Sequence, residues 1–391
     1  MEQPAIGVVG AGAMGTGIAQ IALSSGHRVF LTDAETRAVD RARDSIEAAL
    51  RRDVEKSRLT PQDAEAAVQR LTCVPPDSGL DSFRGCALVI EAVVEKLDVK
   101  QGTFRALERV VSEGCVLATN TSSLSVTSIG SACDRPERLL GVHFFNPAPV
   151  MPLVEIVPGL RTSPDVTAAA RRIVDGWQKT TVLASDTPGF IVNRIARPLY
   201  GEALRILEEG IANAPTIDWA MRELGGFPMG PFLLMDFIGL DVNYAVTESI
   251  WTALHFDPRY RPSVTQKRLV EAGLLGRKSG RGYYDYSPDA PQRAATEDQA
   301  LGERIVRRIL CMLINEAVDA LFLRVASAED IELAMTKGVN YPQGLLAWGD
   351  QLGLDEVLAE LGRLQEEYEE DRYRPSPLLK RMVRERRKFF S

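Results

Sequence analysis

The first 33 residues restrict the fold of this chain more than any other stretch. AIGVVGAGAMGTGIAQIALSSGHRVFLTD reads as a short buried strand (5 to 9), a glycine turn, a helix over about 13 to 25, and a second strand (28 to 32) ending in Asp33. Gly10, Gly12 and Gly15 stand at the spacing G-x-G-x-x-G. The first takes a backbone shape that a side chain blocks, the second lets the backbone approach a pyrophosphate, and the third lets helix and strand pack closely. The N–H groups that open the helix, at Ala13 and Met14, act with the helix dipole to favour phosphate. Asp33 suits ribose hydroxyls and repels a 2'-phosphate, so the pattern points to NAD rather than NADP. The competing reading is a glycine-rich turn that binds nothing, and the strand, helix and acid around the glycines argue against it.

Past Asp33, two helical patterns are broken at Leu59-Thr60-Pro61, where Thr60 can cap and Pro61 can open the second helix. They read as a helical hairpin inserted into the nucleotide fold. Its cations Arg51, Arg52 and Lys56 read as solvated, with contact to an anionic ligand as the alternative. Strand patterns follow at CALVIEAV (86 to 93), VLATNTS (around 115 to 122), LLGVHFF (139 to 145) and LVEIV (153 to 157). Strands alternating with helices imply a parallel sheet wound on both faces, with a ligand crevice at the carboxyl ends of the strands. Asn120, Ser122 and His143 fall at such ends.

Only three histidines occur in 391 residues, and His143 lies in the apolar run GVHFFNP. Such a residue is often a satisfied core histidine. At a cofactor crevice, however, a neutral imidazole is a group that takes a hydroxyl proton near neutral pH. Glu155, in PLVEIV, is an acid among apolar residues and is costly to bury unless paired. One reading uses both: His143 as base, with Glu155 orienting the ring and stabilising the imidazolium, by the logic of a hydrolase triad. Separate structural roles are the alternative. Hydrolysis is the poorer use of these residues, because no GxSxG elbow occurs and Ser122 and Ser123 lie in TNTSSLS without an oxyanion turn.

A net charge of -7 disfavours sequence-independent binding of nucleic acid. The basic run LLKRMVRERRKFF carries apolar residues at helical spacing and reads as a solvated helix face, with a membrane or partner helix as the lesser alternative. The five cysteines form no CxxC pair, so neither a metal site nor a disulfide framework is expected. MEQPAIGVVG lacks a basic segment followed by a long apolar one, and no window approaches the ~18 apolar residues of a spanning helix. A cytoplasmic protein without a membrane partner is expected.

From about residue 187 the pattern turns helical and repeats itself at a shift of 114 residues. VNRI (192 to 195) meets VRRI (306 to 309), and FPMGPFLLMDFIGLD (227 to 241) meets YPQGLLAWGDQLGLD (341 to 355). The expected architecture is α/β followed by all-α. It comprises a Rossmann-type doubly wound domain over 1–186, a first helical domain over 187–286, and a second, degenerate copy over 303–391. Asn193 becomes Arg307 in the second copy and no nucleotide domain precedes that copy, so one active site per chain is expected.

GAGAMGTGIAQ, Asp33, EAVVEKLDVK, TNTSSL, HFFNPAPVMPLVEIV, TPGFIVNRI and GRKSGRGYYDY occur in that order over residues 6 to 286. As a set they resemble the 3-hydroxyacyl-CoA dehydrogenases along about three quarters of the chain. The resemblance implies NAD-dependent oxidation of an (S)-3-hydroxyacyl-CoA, and the reverse reduction, with His143 as base and Glu155 as its partner. It further implies that Ser122 and Asn193 hydrogen-bond the 3-oxygen, that Asn146 bonds near the pair, and that Glu95, Lys100 and Asn120 line the nicotinamide or substrate side. Taken alone, Lys100 reads as lying on a solvated helix face and Asn193 as a residue satisfying backbone near a helix start. The resemblance also implies that single-copy members pair helical domains between subunits, so the tandem copy points to a monomer with an intramolecular pseudo-dimer, or a homodimer through another surface. The rivals are a dehydrogenase of a free hydroxy or sugar acid such as gulonate, and an idle NAD-binding or scaffolding protein.

Overall fold

The structure, a computed structural model, describes residues 3–291 and 293–390. The chain divides into two compact units between Thr187 and Pro188.

The first unit is built on one eight-stranded sheet: β1 (Ala5–Val9), β2 (Val29–Thr32), β3 (Leu71–Cys73), β4 (Cys86–Glu91), β5 (Val116–Thr119), β6 (Leu139–Phe144), β7 (Leu153–Pro158) and β8 (Thr180–Leu183). Their spatial order is β3-β2-β1-β4-β5-β6-β7-β8. The order reverses between β1 and β4, which opens the ligand crevice at the carboxyl ends of those strands. Runs such as IGVV and ALVI are apolar throughout because helices cover both faces of the sheet. On one face, Ile6, Val8, Leu88, Ile90 and Val142 pack with residues of α1 (Ala13–Ser24), α2 (Thr36–Glu55) and α3 (Pro61–Gln69). The hairpin α2–α3 is the crossover from β2 to the three-residue edge strand β3, a strand too short to read from sequence. Thr60 caps α3 by accepting the Asp63 N–H at 3.1 Å, and Pro61 takes the first turn, as expected.

One pair departs from the wholly parallel sheet expected from the sequence: β7 runs antiparallel to β6. Only eight residues, 145–152, join the two strands. A parallel neighbour needs a crossover of a dozen or more residues, so the chain turns straight back. Lys179 holds this turn, its Nζ donating to the carbonyls of Ala148 at 2.7 Å and Met151 at 2.8 Å.

The second unit is helical. Its two copies repeat their hydrogen bonds as well as their sequence. Asp218 accepts the N–H groups of Phe232 and Leu233 at 2.8 and 2.9 Å, and 114 residues on Glu332 accepts those of Leu346 and Ala347 at 2.8 and 3.1 Å. The copies meet through reciprocal ion pairs, Arg194 with Glu316 at 2.9 Å and Arg308 with Glu202 at 3.0 Å. The 114-residue shift exchanges one pair for the other, as in a two-fold interface. Tyr260 adds a hydrogen bond to Glu316 and Tyr373 one to Glu202.

Among the described residues, no helix is long and apolar enough to cross a membrane, no group of three His, Cys, Asp or Glu is arranged to hold a metal ion, and the five cysteines are free.

His27 offers a test of the first unit's packing. The Trp177 indole, which can only donate, bonds His27 Nε2 at 2.9 Å, so the ring proton is on Nδ1, 2.7 Å from the Pro4 carbonyl. Burial lowers the His27 pKa from its ordinary 6.5, more than the Pro4 contact raises it. The unfolded chain therefore binds this proton at higher pH than the folded one, and stability falls as pH drops below 6.5 toward the folded value. In urea titrations from about pH 7 to 5, the advantage of wild type over His27→Gln is expected to shrink as pH falls. An advantage that stays constant across that range removes His27 as the source.

Candidate active site

The glycine turn lies where the sheet order reverses. β1 ends at Val9, and Gly10 follows at φ 108°, a left-handed conformation that a side chain disfavours. A Cβ on Gly15 would lie 1.8 Å from the Gly10 carbonyl oxygen, so glycine alone lets α1 start against the strand. A Cβ on Gly12 meets nothing within 4 Å, and this open side faces away from the protein's own packing. No side chain caps α1 at Gly12, so the N–H groups of Ala13, Met14 and Gly15 have no intrahelical acceptor and suit a phosphate. Asp33 accepts the Ala11 N–H at 2.7 Å and the Glu35 N–H at 3.0 Å. A carboxylate has about four acceptor sites, so capacity remains for ribose hydroxyls. These residues fit a dinucleotide.

His143 and Glu155 are register partners across the β6/β7 pair, so their side chains leave the sheet on the same face. His143 Nδ1 and Glu155 Oε2 are 2.6 Å apart, with Glu155 fully buried and His143 5% exposed. The short antiparallel turn thus converts a twelve-residue separation into a direct contact.

Next to the pair, the Asn120 side-chain oxygen accepts the Phe144 N–H at 2.9 Å and ties the end of β5 to the end of β6. The turn Thr121–Ser123 closes on one carboxylate oxygen. Glu95 Oε1 accepts the Thr121 hydroxyl at 2.5 Å, the Ser122 and Ser123 N–H groups at 3.1 and 3.2 Å, and the Ser123 hydroxyl at 3.0 Å. Burial by itself raises the Glu95 carboxyl, but the Lys100 ammonium and the hydrogen bonds from Thr121 and Ser123 outweigh it and hold the group below its ordinary value.

Lys100 does not lie on a solvated face. It is 1% exposed, with Nζ 2.7 Å from Glu91 and 3.1 Å from Glu95. Lys100 and Glu95 therefore shape the turn that carries Ser122. Glu91, missed in the sequence reading, is fully buried and also accepts the Thr119 hydroxyl at 2.8 Å and the Val93 N–H at 2.7 Å. Its signal was present: an acid ending the apolar strand CALVIE, the same anomaly that singled out Glu155. Asn146 is exposed beyond the end of β6 and makes no side-chain hydrogen bond among the described residues. Asn193 belongs to the helical unit, in the turn Val192–Ile195.

Residues 5–187 match the family model "3-hydroxyacyl-CoA dehydrogenase, NAD binding domain", and the C-terminal domain model of the same family matches twice, at 189–286 and 305–388. The chain belongs to the 3-hydroxyacyl-CoA dehydrogenase family. Its glycine turn and Asp33 lie in the NAD-binding domain of that family, and its internal repeat coincides with the doubled C-terminal domain. A 3-hydroxyadipyl-CoA dehydrogenase of Escherichia coli is 38% identical, with 96% of each chain covered. A probable 3-hydroxybutyryl-CoA dehydrogenase of Deinococcus radiodurans is 41% identical and matches along 99% of its own length, but along 72% of this chain. A crystal structure of 3-hydroxybutyryl-CoA dehydrogenase from Escherichia coli matches with a TM-score of 0.92 at 37% identity, covering 98% of both chains.

The acidic pair around Lys100 gives this dehydrogenase-family site a measurable stake in stability. Lys100→Met leaves Glu91 buried without its counter-charge, and a loss of about 3 kcal/mol is expected in urea unfolding. A loss below ~1 kcal/mol would show that the ammonium adds little beyond the neutral hydrogen bonds.

Proposed function

We propose that the chain interconverts (S)-3-hydroxyacyl-CoA and 3-ketoacyl-CoA thioesters, with His143 and Glu155 as its acid-base pair. The observation that carries this reading is the 2.6 Å contact between the two side chains at the carboxyl end of β6, in the domain that holds the glycine turn. NAD, when bound, supplies the hydride acceptor, and Gly10, Gly12, Ala13, Met14, Gly15 and Asp33 are the residues that hold it. In oxidation the His143 ring takes the 3-hydroxyl proton, and in reduction it returns that proton to the 3-keto oxygen. Glu155 fixes the ring through Nδ1 and stabilises the imidazolium, so proton exchange with substrate falls to Nε2. Ser122, on the turn held by Glu95, and Asn193, by family resemblance, hold the same oxygen. Asn120 and Glu95 line the nicotinamide or substrate side, the enclosed Lys100 acts there through its contact with Glu95, and Asn146 acts near the pair.

The relatives are named for 3-hydroxyadipyl-CoA and 3-hydroxybutyryl-CoA. The shared chemistry is a 3-hydroxyacyl thioester of CoA, and that class is the substrate proposed here. Five free thiols fit a reducing compartment, and the cytoplasm is the proposed one.

NADH oxidation by acetoacetyl-CoA, beside free acetoacetate, tests the reading. Turnover of the thioester alone is expected, whereas turnover of the free acid alone would replace it with a hydroxy-acid dehydrogenase. His143→Ala and Glu155→Ala are each expected to lower kcat by roughly 10² to 10⁴, the usual worth of general acid-base help. An unchanged kcat removes that residue from the mechanism.

The reciprocal pairs Arg194–Glu316 and Arg308–Glu202 support a second part of the proposal, that the two helical copies pair within one chain and the protein is monomeric. Sedimentation is expected to give about the mass of one chain, 42.9 kDa. A dimer that dissociates when Arg194 or Arg308 is replaced would overturn it.

A further inference from the structure

One arginine in the helical unit is buried without an acid among the described residues. Among the described residues five other arginines are buried, and each faces a carboxylate. Arg138 lies 3.5 Å from Glu108, Arg194 2.9 Å from Glu316, Arg259 3.0 Å from Asp319, Arg308 2.7 Å from Glu209, and Arg372 3.3 Å from Glu370. Arg197 is 6% exposed, and among the described residues no carboxylate lies within ion-pair distance of it. Its Nε donates to the Asn193 carbonyl at 2.9 Å and its Nη1 to the Thr247 hydroxyl at 3.1 Å. These neutral acceptors answer two of the guanidinium's five N–H groups. The charge lies 4.7 Å over the Tyr200 ring, and burial lowers its pKa, the direction expected of a cation lacking a counter-charge. Tyr341, near enough to Arg197 to feel its charge, has a buried hydroxyl with no hydrogen-bond partner among the described residues.

The helical fold does not itself require this charge. In the second copy the equivalent position, 114 residues on, is Cys311, a buried neutral side chain. A buried cation with unused donors, beside an unanswered phenol, is arranged for an anionic ligand, and an arginine fork matches a carboxylate in two hydrogen bonds. Position identifies that ligand. Arg197 lies one helical turn beyond Asn193, a spacing of about 5–6 Å between Cβ atoms. In a six-carbon acyl chain ending in a carboxylate, three C–C bonds separate the hydroxyl-bearing carbon from the carboxyl carbon, or about 4 Å when extended.

We propose that Arg197 binds a carboxylate at the far end of the acyl chain, so that the preferred substrate is the CoA thioester of a 3-hydroxy dicarboxylic acid. This rests on the dehydrogenase reading above, and on Asn193 holding the 3-oxygen.

The test compares 3-oxoadipyl-CoA with 3-oxohexanoyl-CoA, equal in carbon number and differing in the terminal carboxylate, as NADH-dependent kcat/KM. Wild type is expected to prefer the carboxylated thioester by roughly 10²-fold. Arg197→Met is expected to bring the ratio to about one or below, mainly through KM, and Arg197→Lys to restore part of it. A wild-type ratio near one overturns the proposal whatever the variants do. So does an Arg197→Met variant that loses kcat/KM equally on both thioesters, the outcome expected of a structural arginine or one that binds the CoA moiety. If Arg197→Met does not fold, the wild-type ratio and Arg197→Lys decide. Turnover of neither thioester by wild type removes the dehydrogenase reading, and this proposal with it.

Discussion

A carboxylate with no exposed surface is the constraint around which the candidate site is built. Taking Glu155 out of water is costly unless hydrogen bonds compensate it, and His143 Nδ1 lies 2.6 Å from its Oε2. That contact exists only because β7 runs antiparallel to β6, which sets the two residues opposite each other in register. A slip of one residue would send Glu155 to the other face of the sheet and break this contact. The grip of Lys179 on the β6/β7 turn and the bond from Asn120 to the Phe144 backbone both secure that register. Stability and the proposed proton transfer therefore rest on the same geometry.

The same electrostatic rule recurs twice. Glu91 and Glu95 converge on the buried Lys100, and the second of these carboxylates gathers the turn Thr121–Ser123, so a charge cluster with no exposed cation sets the position of Ser122. In the helical unit, Arg194 with Glu316 and Arg308 with Glu202 form reciprocal bridges that join the two copies. Buried ion pairs add little net stability over apolar packing, but breaking one is costly, so they specify which surfaces meet. Arg197 is the exception to this rule, and that is why it draws attention as a ligand-binding group.

Much of this was legible in the sequence because it depends on local chemistry. The glycine turn, Asp33, the cap at Thr60 and the 114-residue repeat all follow from short-range pattern. His143 and Glu155 stood out because a charge in an apolar strand has few tolerable explanations. Glu91 carried the same signal and was passed over, since the functional reading had no task for it. Lys100 was misjudged in its surroundings: helical spacing says which residues share a face, not whether another segment covers that face.

The sequence by itself determined the cofactor turn, the alternation of strand and helix through most of the first unit, and the doubling of the helical unit, because each is encoded in residues close together or in a repeat. Tertiary structure alone decided that β7 turns back on β6, that Lys100 is enclosed by two acids, and that Arg197 meets none among the described residues. These depend on which distant segments come to lie side by side, and the cost of a buried charge is settled only by the neighbours it finds there.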